Sequence, residues 1–224
     1  MTPHTVGYDS VATAIPLTTA ELVERVQVLA KPGERRILGI AGAPGAGKSS
    51  LAALLARALG PNRAALADMD AFHLSNEILH HVGRHGYKGA IDTFDDAGYA
   101  SLIQRLAAAA PGERAIYVPR FEREIEESIN AAVAIPSEVP LVITDGNYLL
   151  AETGAWPNAR SAMSEVWFLA PAREVRHAQL IARHQQFGRT LVEAEARALG
   201  TDEINAQLVL GTASRADLIL RWQS

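Results

Sequence analysis

Short apolar runs alternate along the chain with longer stretches whose apolar residues recur at helical spacing. The first such stretch, TTAELVERVQVLA at 18–30, places Leu22, Val26 and Leu29 on one helical face. Thr18 and Glu21 have the spacing of a capping box, so the sequence predicts an amphipathic helix here. A KPGE turn then leads into RRILGIAG at 35–42, a short apolar run typical of a buried strand.

The same alternation continues to the end of the sequence. Helix formers fill 48–59 up to a Gly-Pro pair, and further helical stretches occupy 99–110, 171–188, 190–199 and 201–214. The remaining apolar runs of strand type are RAALADMD, AIYVPRF, PLVITDGNYLL, EVWFLA and ADLILRW. Of these, AIYVPRF contains Pro119, which confines the strand to an edge or an end of a sheet.

Strands that alternate with helices favour right-handed crossovers and a parallel sheet covered on both faces. The sequence therefore predicts an α/β fold with a doubly wound, mostly parallel sheet of about five strands. We treat 1–224 as a single domain, in which 82–135 is a candidate acceptor-binding lobe and 173–200 a candidate helical lid. The polar, glycine-rich segment at 83–98 is typical of an active-site loop.

The strand RRILGIAG runs directly into a phosphate-binding motif, G-x-x-x-x-G-K-[ST]. Its backbone amides and the start of the following helix are suited to phosphate oxygens. Lys48 is expected to reach the β- and γ-phosphates and Ser49 to bind Mg²⁺. A chance glycine turn is disfavoured because the strand and the helix that the mechanism requires both flank the motif. The predicted nucleotide-binding residues are Gly42, Ala43, Pro44, Gly45, Ala46, Gly47, Lys48, Ser49 and Ser50.

This motif alone does not identify the reaction, because switches, motors and kinases share it. The sequence contains neither N-K-x-D, which is typical of guanine-nucleotide switches, nor L-S-G-G-Q, which is typical of transport ATPases. A small-molecule kinase or a less typical ATPase remains.

The run RAALADMD ends in two acids, Asp68 and Asp70, at the edge of the sheet where such folds bind ligands. Asp70 is a candidate base that accepts the proton of an attacking hydroxyl, and Asp68 is a candidate supporting group for Mg²⁺-bound water. Alternatively, both acids cap the following helix. His73 is expected to form a polar wall of the pocket.

Asp145 ends the strand in PLVITDGNYLL and is a candidate Mg²⁺ ligand opposite Ser49; the alternative is a simple turn residue. The helical stretch at 171–188 carries Arg173, Arg176 and Arg183, followed by Arg189. Beside a phosphate loop such arginines favour a lid that neutralises phosphate charge, against the alternative of a solvated face. We interpret His177 and His184, which are seven residues apart and have no assigned carboxylate or cysteine companion, as surface or packing residues and expect no zinc site.

Composition narrows the class of partner. The net charge is −4 with no block of like charges, so the sequence shows no electrostatic footprint for nucleic acid or membrane, and we expect a small-molecule partner. Cysteine is absent, and no leader or membrane-spanning run is visible, which together favour a cytoplasmic protein. Only three residues are lysine, so Lys48 in the glycine loop stands out.

With these motifs the chain resembles the bacterial nucleoside and nucleotide kinase family of P-loop proteins, which includes uridine kinase, phosphoribulokinase and bacterial pantothenate kinase. DMDAFHL is similar to the element that carries the family's general base, which implies this role for Asp70. GAIDTFD implies acceptor contacts at Asp92 or Asp95, and VPRFER implies that Glu122 and Arg123 lie near the acceptor.

The resemblance also covers the lid and the donor side. QLIARHQQFGRT is similar to the family's lid and implies phosphate contacts by Arg183, with Arg176 and Arg189 as further candidates. NAQLV and SRADLIL resemble the end of the family, where the chain passes close to the adenine. The departures are Ile91 for a proline, Asp145 for the usual Glu, and Phe121-Glu122 for Tyr-Asp, mostly on the acceptor side.

Taken together, the sequence and the resemblance predict a kinase that uses ATP and Mg²⁺ to phosphorylate a hydroxyl of a nucleoside, sugar or pantothenate-like metabolite. Lys48, Asp70 and Arg183 are its expected catalytic residues. The alternative is a P-loop ATPase or nucleotide-binding regulatory protein that acts through a protein partner. Because related kinases often pair, a homodimer also stays open.

Overall fold

The computed structural model describes residues 13–223 and contains a central sheet of six parallel strands. Their order is β1-β8-β7-β2-β6-β3, and every neighbouring pair runs parallel. The strands are β1 Ile15–Thr18, β2 Arg36–Ala41, β3 Ala64–Leu66, β6 Leu141–Gly146, β7 Glu165–Leu169 and β8 Leu218–Gln223. The predicted doubly wound α/β fold is confirmed.

The predicted count of five strands was too low, because β1 adds a sixth at the edge of the sheet. It pairs with β8, in a register that sets Ile15 opposite Leu220. β1 has four residues and includes Pro16, so it is too short to display alternation and carries a residue that tolerates only an edge position. The strand ends at Thr18, whose side chain caps the first helix through the predicted capping box with Glu21.

Helices cover both faces of the sheet and divide the core into two layers. Alternating residues of β2 separate the layers, since Leu38 and Ile40 belong to one and Ile37 and Ala41 to the other. The first layer packs against α1 Thr19–Leu29 and α2 Lys48–Leu59, and the second against α4 Asp96–Ala108 and α5 Trp156–Ser161. This packing fixes the carboxyl ends of β2, β3 and β6, where the candidate site lies.

A hairpin outside the main sheet forms one wall of the site. β4 Ile116–Glu122 and β5 Glu127–Ile135 pair antiparallel in a sheet of their own, which rests against a 3-10 turn at Met69–Phe72. Pro119 falls where the register shifts between Val118 and Arg120, in keeping with its missing backbone donor.

The remaining elements surround the carboxyl edge of the sheet. The predicted lid region contains α6 Arg173–Gln186 and α7 Leu191–Leu199, followed by α8 Thr201–Leu210. A short helix, α3 Asn76–His81, and 3-10 turns at His85–Tyr87 and Ile91–Thr93 form the segment between the candidate base and α4; a last 3-10 turn is Ala213–Arg215. Within residues 13–223, the helices are all too short or too polar to traverse a lipid bilayer.

Candidate active site

The phosphate loop connects β2 to α2, and α2 begins at Lys48 as the motif requires. Gly47 occupies the N-cap position with φ 90° and supplies no side-chain hydrogen bond to the helix start. The first amides of α2 therefore have no side-chain cap and face the loop, the arrangement that binds phosphate oxygens in other helix N-termini.

The loop is packed tightly against α6, in the candidate lid region. A Cβ on Gly45 would lie 2.7 Å from the carbonyl oxygen of Arg176, on α6, and the residue has φ +80°. Both observations exclude a side chain at this position. The first turns of α6 and the phosphate loop are thus in direct contact, so that movement of one bears on the other.

Lys48 points into the site and is buried. Its Nζ donates to the carbonyl oxygen of Ala43 at 3.2 Å and to Oδ1 of Asn147 at 2.7 Å. Burial lowers the pKa of Lys48 to about 8, and the charges of Asp145 and Asp70 only partly offset this. An anion placed beside Nζ would restore the charged form, so the position is suited to phosphate.

Ser49 and Asp145 are brought together by two neighbouring strands. Asp145 on β6 stands opposite Ile40 on β2, and β2 leads through the phosphate loop to Ser49 on α2. The Ser49 hydroxyl donates to Oδ2 of Asp145 at 2.7 Å. Burial raises the pKa of Asp145, while this hydrogen bond acts to lower it. A hydroxyl and a carboxylate oxygen are the ligand types that Mg²⁺ prefers, and one or two such groups suffice when phosphates supply the rest. The pair therefore fits the ion.

In the described part of the chain, no group of three or more His, Cys, Asp or Glu side chains is arranged to hold a metal. The Ser49 and Asp145 pair is thus the candidate cation site in this part of the chain.

Asp68 and Asp70 have different environments. Asp68 caps the 3-10 turn at Met69–Phe72, where its Oδ1 accepts from the amide of Asp70 at 2.9 Å. Of the two acids that could cap the following helical turn, Asp68 is thus the one that does. Burial and the charges of Asp70 and Asp145 raise its pKa well above the ordinary value.

The Asp70 carboxylate is instead free of the turn and accepts from Arg123 at 2.9 Å. Burial acts to raise the pKa of Asp70, but His73, Arg123 and Lys48 together outweigh it and hold the pKa below its ordinary range. Asp70 is therefore an ionised acceptor at neutral pH.

These groups line one cavity of about 680 Å³. Lys48, Ser49 and Asp145 lie at its phosphate-loop end, and Asp70, His73 and Arg123 lie on the wall formed by the hairpin and the 3-10 turn. The structure thus brings Lys48, Ser49 and Asp145 of the predicted donor side together with three of the predicted acceptor-side residues. A cavity of this size matches a small-molecule site.

Two of the candidate lid arginines, Arg183 and Arg189, also line this cavity. Arg176 does not. Its side chain is 4% exposed, forms an ion pair with Glu203 and donates to the carbonyl oxygen of Pro44 at 3.3 Å. The geometry therefore assigns Arg176 to the contact between lid and phosphate loop, whereas Arg183 faces the cavity.

His177 and His184 are largely buried, which agrees with packing residues, but the expectation that they have no carboxylate companion was wrong. Nε2 of His184 lies 2.7 Å from Asp202, and Nε2 of His177 lies 3.0 Å from Glu203. Both carboxylates belong to α8, whose packing on the lid was not visible in the sequence. The two pairs bind α8 to α6, and His184 and Asp202 also line the cavity.

A second, smaller pocket of about 200 Å³ is lined by other residues of the phosphate loop. Ala43, Ala46 and Leu210 form its apolar walls, and Arg173 and Arg221 lie at its rim. Leu210 and Arg221 come from the end of the chain that the resemblance placed near the adenine.

Three predicted acceptor contacts face elsewhere. Asp92 accepts from Arg84 at 2.7 Å, Asp95 caps α4 by accepting from the amide of Gly98 at 2.8 Å, and Glu122 pairs with Arg120 at 3.3 Å. None of these three residues lines the cavity. Ser50 likewise lies on the exposed side of α2 and outside the cavity lining.

Several cavity residues were not singled out from the sequence, among them Asn76, Lys88, Asn147 and Asn205. Asn147 directly follows Gly146 at the end of β6, so its position after a strand was an available signal. The other three lie on loops or helices whose approach to the site depends on the tertiary fold.

Comparison with known proteins agrees with this geometry. The chain is 30% identical over 211 residues to a protein of Schizosaccharomyces pombe provisionally named a uridine kinase, covering 90% of this chain and 89% of that relative. It is 35% identical over 125 residues to an ATP-dependent kinase-like protein of Aspergillus versicolor, covering 53% and 71% respectively. No protein-family model matches the sequence.

A solved structure from Silicibacter sp. TM1040, provisionally described as a fructose transport system kinase, superposes with a TM-score of 0.76 at 29% identity. The match covers 93% of this chain and 100% of that one. The predicted resemblance is confirmed. Identity of 30% across nine tenths of the sequence, together with the phosphate loop described above, shows that the chain belongs to the family of P-loop kinases related to uridine kinase.

Proposed function

We propose that this protein transfers the γ-phosphoryl group of ATP to a hydroxyl group of a small polar metabolite, with Mg²⁺ as the metal. The observation that carries the proposal is the placement of Asp70 and Lys48 in one cavity, with an ionised carboxylate facing the end where the phosphate loop lies. Hydrolysis of ATP also uses a group that positions water, but it needs no room for a further molecule. The carboxylate of Asp70 in a cavity of about 680 Å³ therefore supports a second substrate that carries a hydroxyl group.

At the donor end, the loop amides and Lys48 hold the phosphates of ATP. The smaller pocket beyond Ala43 and Ala46 would take the adenine, because its apolar walls suit a flat base and its rim arginines can stack on one. Ser49 and Asp145 would hold Mg²⁺, which when bound neutralises charge on the phosphate oxygens.

At the acceptor end, Asp70 orients the hydroxyl group. The acceptor oxygen forms a bond to the γ-phosphorus while the bond from that phosphorus to the β–γ bridging oxygen breaks and ADP leaves. The hydroxyl proton passes to Asp70 and then to solvent. Because Arg123 contacts the carboxylate, the base is held in place and kept ionised before substrate arrives.

Arg183 completes the charge pattern from the lid. It lies on α6 and lines the cavity, near enough for its charge to affect Lys48 and Asp70. A guanidinium in this position would stabilise negative charge that develops on the transferring group. Since α6 also contacts the phosphate loop through Arg176 and Gly45, nucleotide binding and placement of Arg183 are mechanically linked.

The test is ADP release from ATP and Mg²⁺ across a panel of nucleosides, sugars, hydroxy acids and their phosphates. We expect one chemical class to stimulate ADP release, and the product to carry a new phosphate ester. Tight ATP binding with no stimulation by any acceptor would contradict the proposal and favour an ATPase or regulatory protein that requires a protein partner.

A further inference from the structure

Lysine is rare in this chain, and its distribution is uneven. The three lysines are Lys31, Lys48 and Lys88. Lys31 is exposed beyond α1, whereas Lys48 and Lys88 both line the main cavity. The proposed function uses Lys48 for phosphates and leaves Lys88 without a role.

The ammonium group of Lys88 is held by neutral oxygens. Nζ donates to Oδ1 of Asn76 at 2.7 Å and to the carbonyl oxygen of Glu126. An ammonium group has three N–H donors, and these contacts use two of them. The side chain is therefore fixed in direction while one donor remains for a ligand in the cavity.

The backbone of Lys88 is fixed as well. Arg197, on α7, donates to the carbonyl oxygens of Gly86 and Lys88 at 2.8 Å each. The lid thus clamps the loop that carries Lys88. A surface lysine without a function is not normally held at both ends, since its long side chain loses entropy when it is ordered.

Other nitrogen groups converge on the same part of the cavity. Nζ of Lys88 lies 5.4 Å from the ring centre of Phe121, the guanidinium carbon of Arg123 lies 5.7 Å from it, and the His73 ring lies 5.1 Å from it. Phe121 therefore marks a corner of the cavity that two cations share. The Arg123 charge is matched by Asp70, but the two hydrogen-bond acceptors of Lys88 carry no charge.

Two carboxylates lie close enough to Lys88 to favour its charged form, Glu126 and Glu127. Glu127 is already engaged, since its Oε1 accepts from the amide of Asn76 at 2.8 Å. Burial nevertheless lowers the pKa of Lys88, so these acids compensate the charge incompletely. A ligand anion would supply the missing compensation.

We propose that the acceptor is itself an anion, a hydroxylated metabolite whose carboxylate or phosphate group binds Nζ of Lys88 while its hydroxyl group lies at Asp70. This inference rests on the proposed kinase function and narrows its substrate class. It excludes an uncharged nucleoside or free sugar as the preferred acceptor, and it makes Lys88 a specificity-determining residue.

The experiment compares acceptors in pairs that differ only in charge: glycerate with glycerol, pantothenate with pantothenyl alcohol, and ribose 5-phosphate with ribose. ADP release is measured with the full chain, ATP and Mg²⁺. We expect the anionic member of one pair to be preferred by about 10- to 100-fold in kcat/KM, the range of a charge-assisted hydrogen bond. The pair that responds tells a carboxylate from a phosphate.

The variant Lys88→Met should lower kcat/KM for the anionic acceptor by about 10- to 100-fold more than for the neutral member of the pair. Lys88→Arg should recover part of the preference, and Lys31→Met is the matched control. A purely structural Lys88 would instead impair both members equally.

The outcomes separate the two proposals. Preference for a neutral acceptor, or equal loss for both members in Lys88→Met, would overturn the anionic acceptor and leave the kinase standing. A flat response to every acceptor despite tight ATP binding would overturn both.

Discussion

Asp70 and Arg123 are 53 positions apart in the chain and form a 2.9 Å hydrogen-bonded ion pair inside the cavity. The first follows β3 in the main sheet, and the second lies in the turn of the β4–β5 hairpin. The pair therefore joins the nucleotide-binding core to the wall that faces the acceptor. Since the Asp70 side chain is about one quarter exposed, the carboxylate is still open to a ligand.

Asp70→Asn tests the role of this carboxylate. An amide cannot take a proton, so we expect kcat to fall by about 10²- to 10⁴-fold, while the dissociation constant for ATP stays within about twofold because the Asp70 carboxylate is hydrogen-bonded to Arg123 and not to the phosphate loop. Steady-state ADP release and nucleotide titration measure the two quantities. Near-normal turnover in this variant would show that another group is the base.

Asp92, Asp95 and Glu122 are expected to be dispensable for catalysis. Each is hydrogen-bonded outside the cavity, so Asp92→Asn and Glu122→Gln should change kcat/KM by less than about twofold. Asp95→Ala should instead destabilise the fold by about 1 kcal/mol through loss of the α4 cap. If one of these variants raises the acceptor KM without loss of stability, that residue contacts the acceptor, as the family resemblance implied.

The contact between Ser49 and Asp145 predicts how activity depends on the Mg²⁺ concentration. Ser49→Ala removes the hydroxyl that Asp145 contacts at 2.7 Å, so we expect the Mg²⁺ concentration for half-maximal activity to rise by about tenfold or more. Ser50→Ala, in which an adjacent exposed hydroxyl is lost, is the matched control. An unchanged Mg²⁺ titration in Ser49→Ala would remove Ser49 from the metal site.

Lys48 predicts a pH-dependent cost to stability in the nucleotide-free protein. Its pKa is about 8 in the fold against an ordinary value of 10.5, so between these pH values the unfolded chain binds more protons and wild-type stability rises with pH. Lys48→Met lacks this titration. We expect the variant to be more stable at pH 7, by on the order of 1 to 3 kcal/mol, although it is inactive.

The difference in unfolding free energy between Lys48→Met and the wild type should shrink as the pH approaches 10. Denaturant unfolding at pH 7, 8.5 and 10 measures it, and Lys31→Met serves as the exposed-lysine control. If the difference in unfolding free energy stays constant over this pH range, the pKa of Lys48 is not lowered in the fold, and the prediction is wrong.

The donor half of the site was predictable because its determinants are local. Gly42 to Ser49 are consecutive, and their flanking strand and helix can be recognised within about 25 residues. Asp70 and Asp145 were found because each ends an apolar run, and the ends of parallel strands share one edge of a sheet. Local pattern therefore sufficed for the phosphate loop and its acids.

The acceptor half depends on contacts between distant segments. Lys88 enters the site only because Asn76, the hairpin turn and Arg197 hold its loop in place. The carboxylate partners of His177 and His184 lie 26 and 18 residues further along the chain. Asp95 was predicted to contact the acceptor but caps α4 instead. The sequence cannot separate these two roles, because a carboxylate just before a helix suits either of them.

The pairing of β1 with β8 has a consequence for how the protein is made. Ile15 and Leu220 are neighbours in the sheet, yet synthesis separates them by almost the whole sequence. During translation β1 and the exposed edge of β7 must wait for residues 218–223 to emerge, since β8 lies between them. We therefore expect the nascent chain to expose two unpaired strand edges until residues 218–223 pair with both neighbours, so the sheet is completed only when β8 forms.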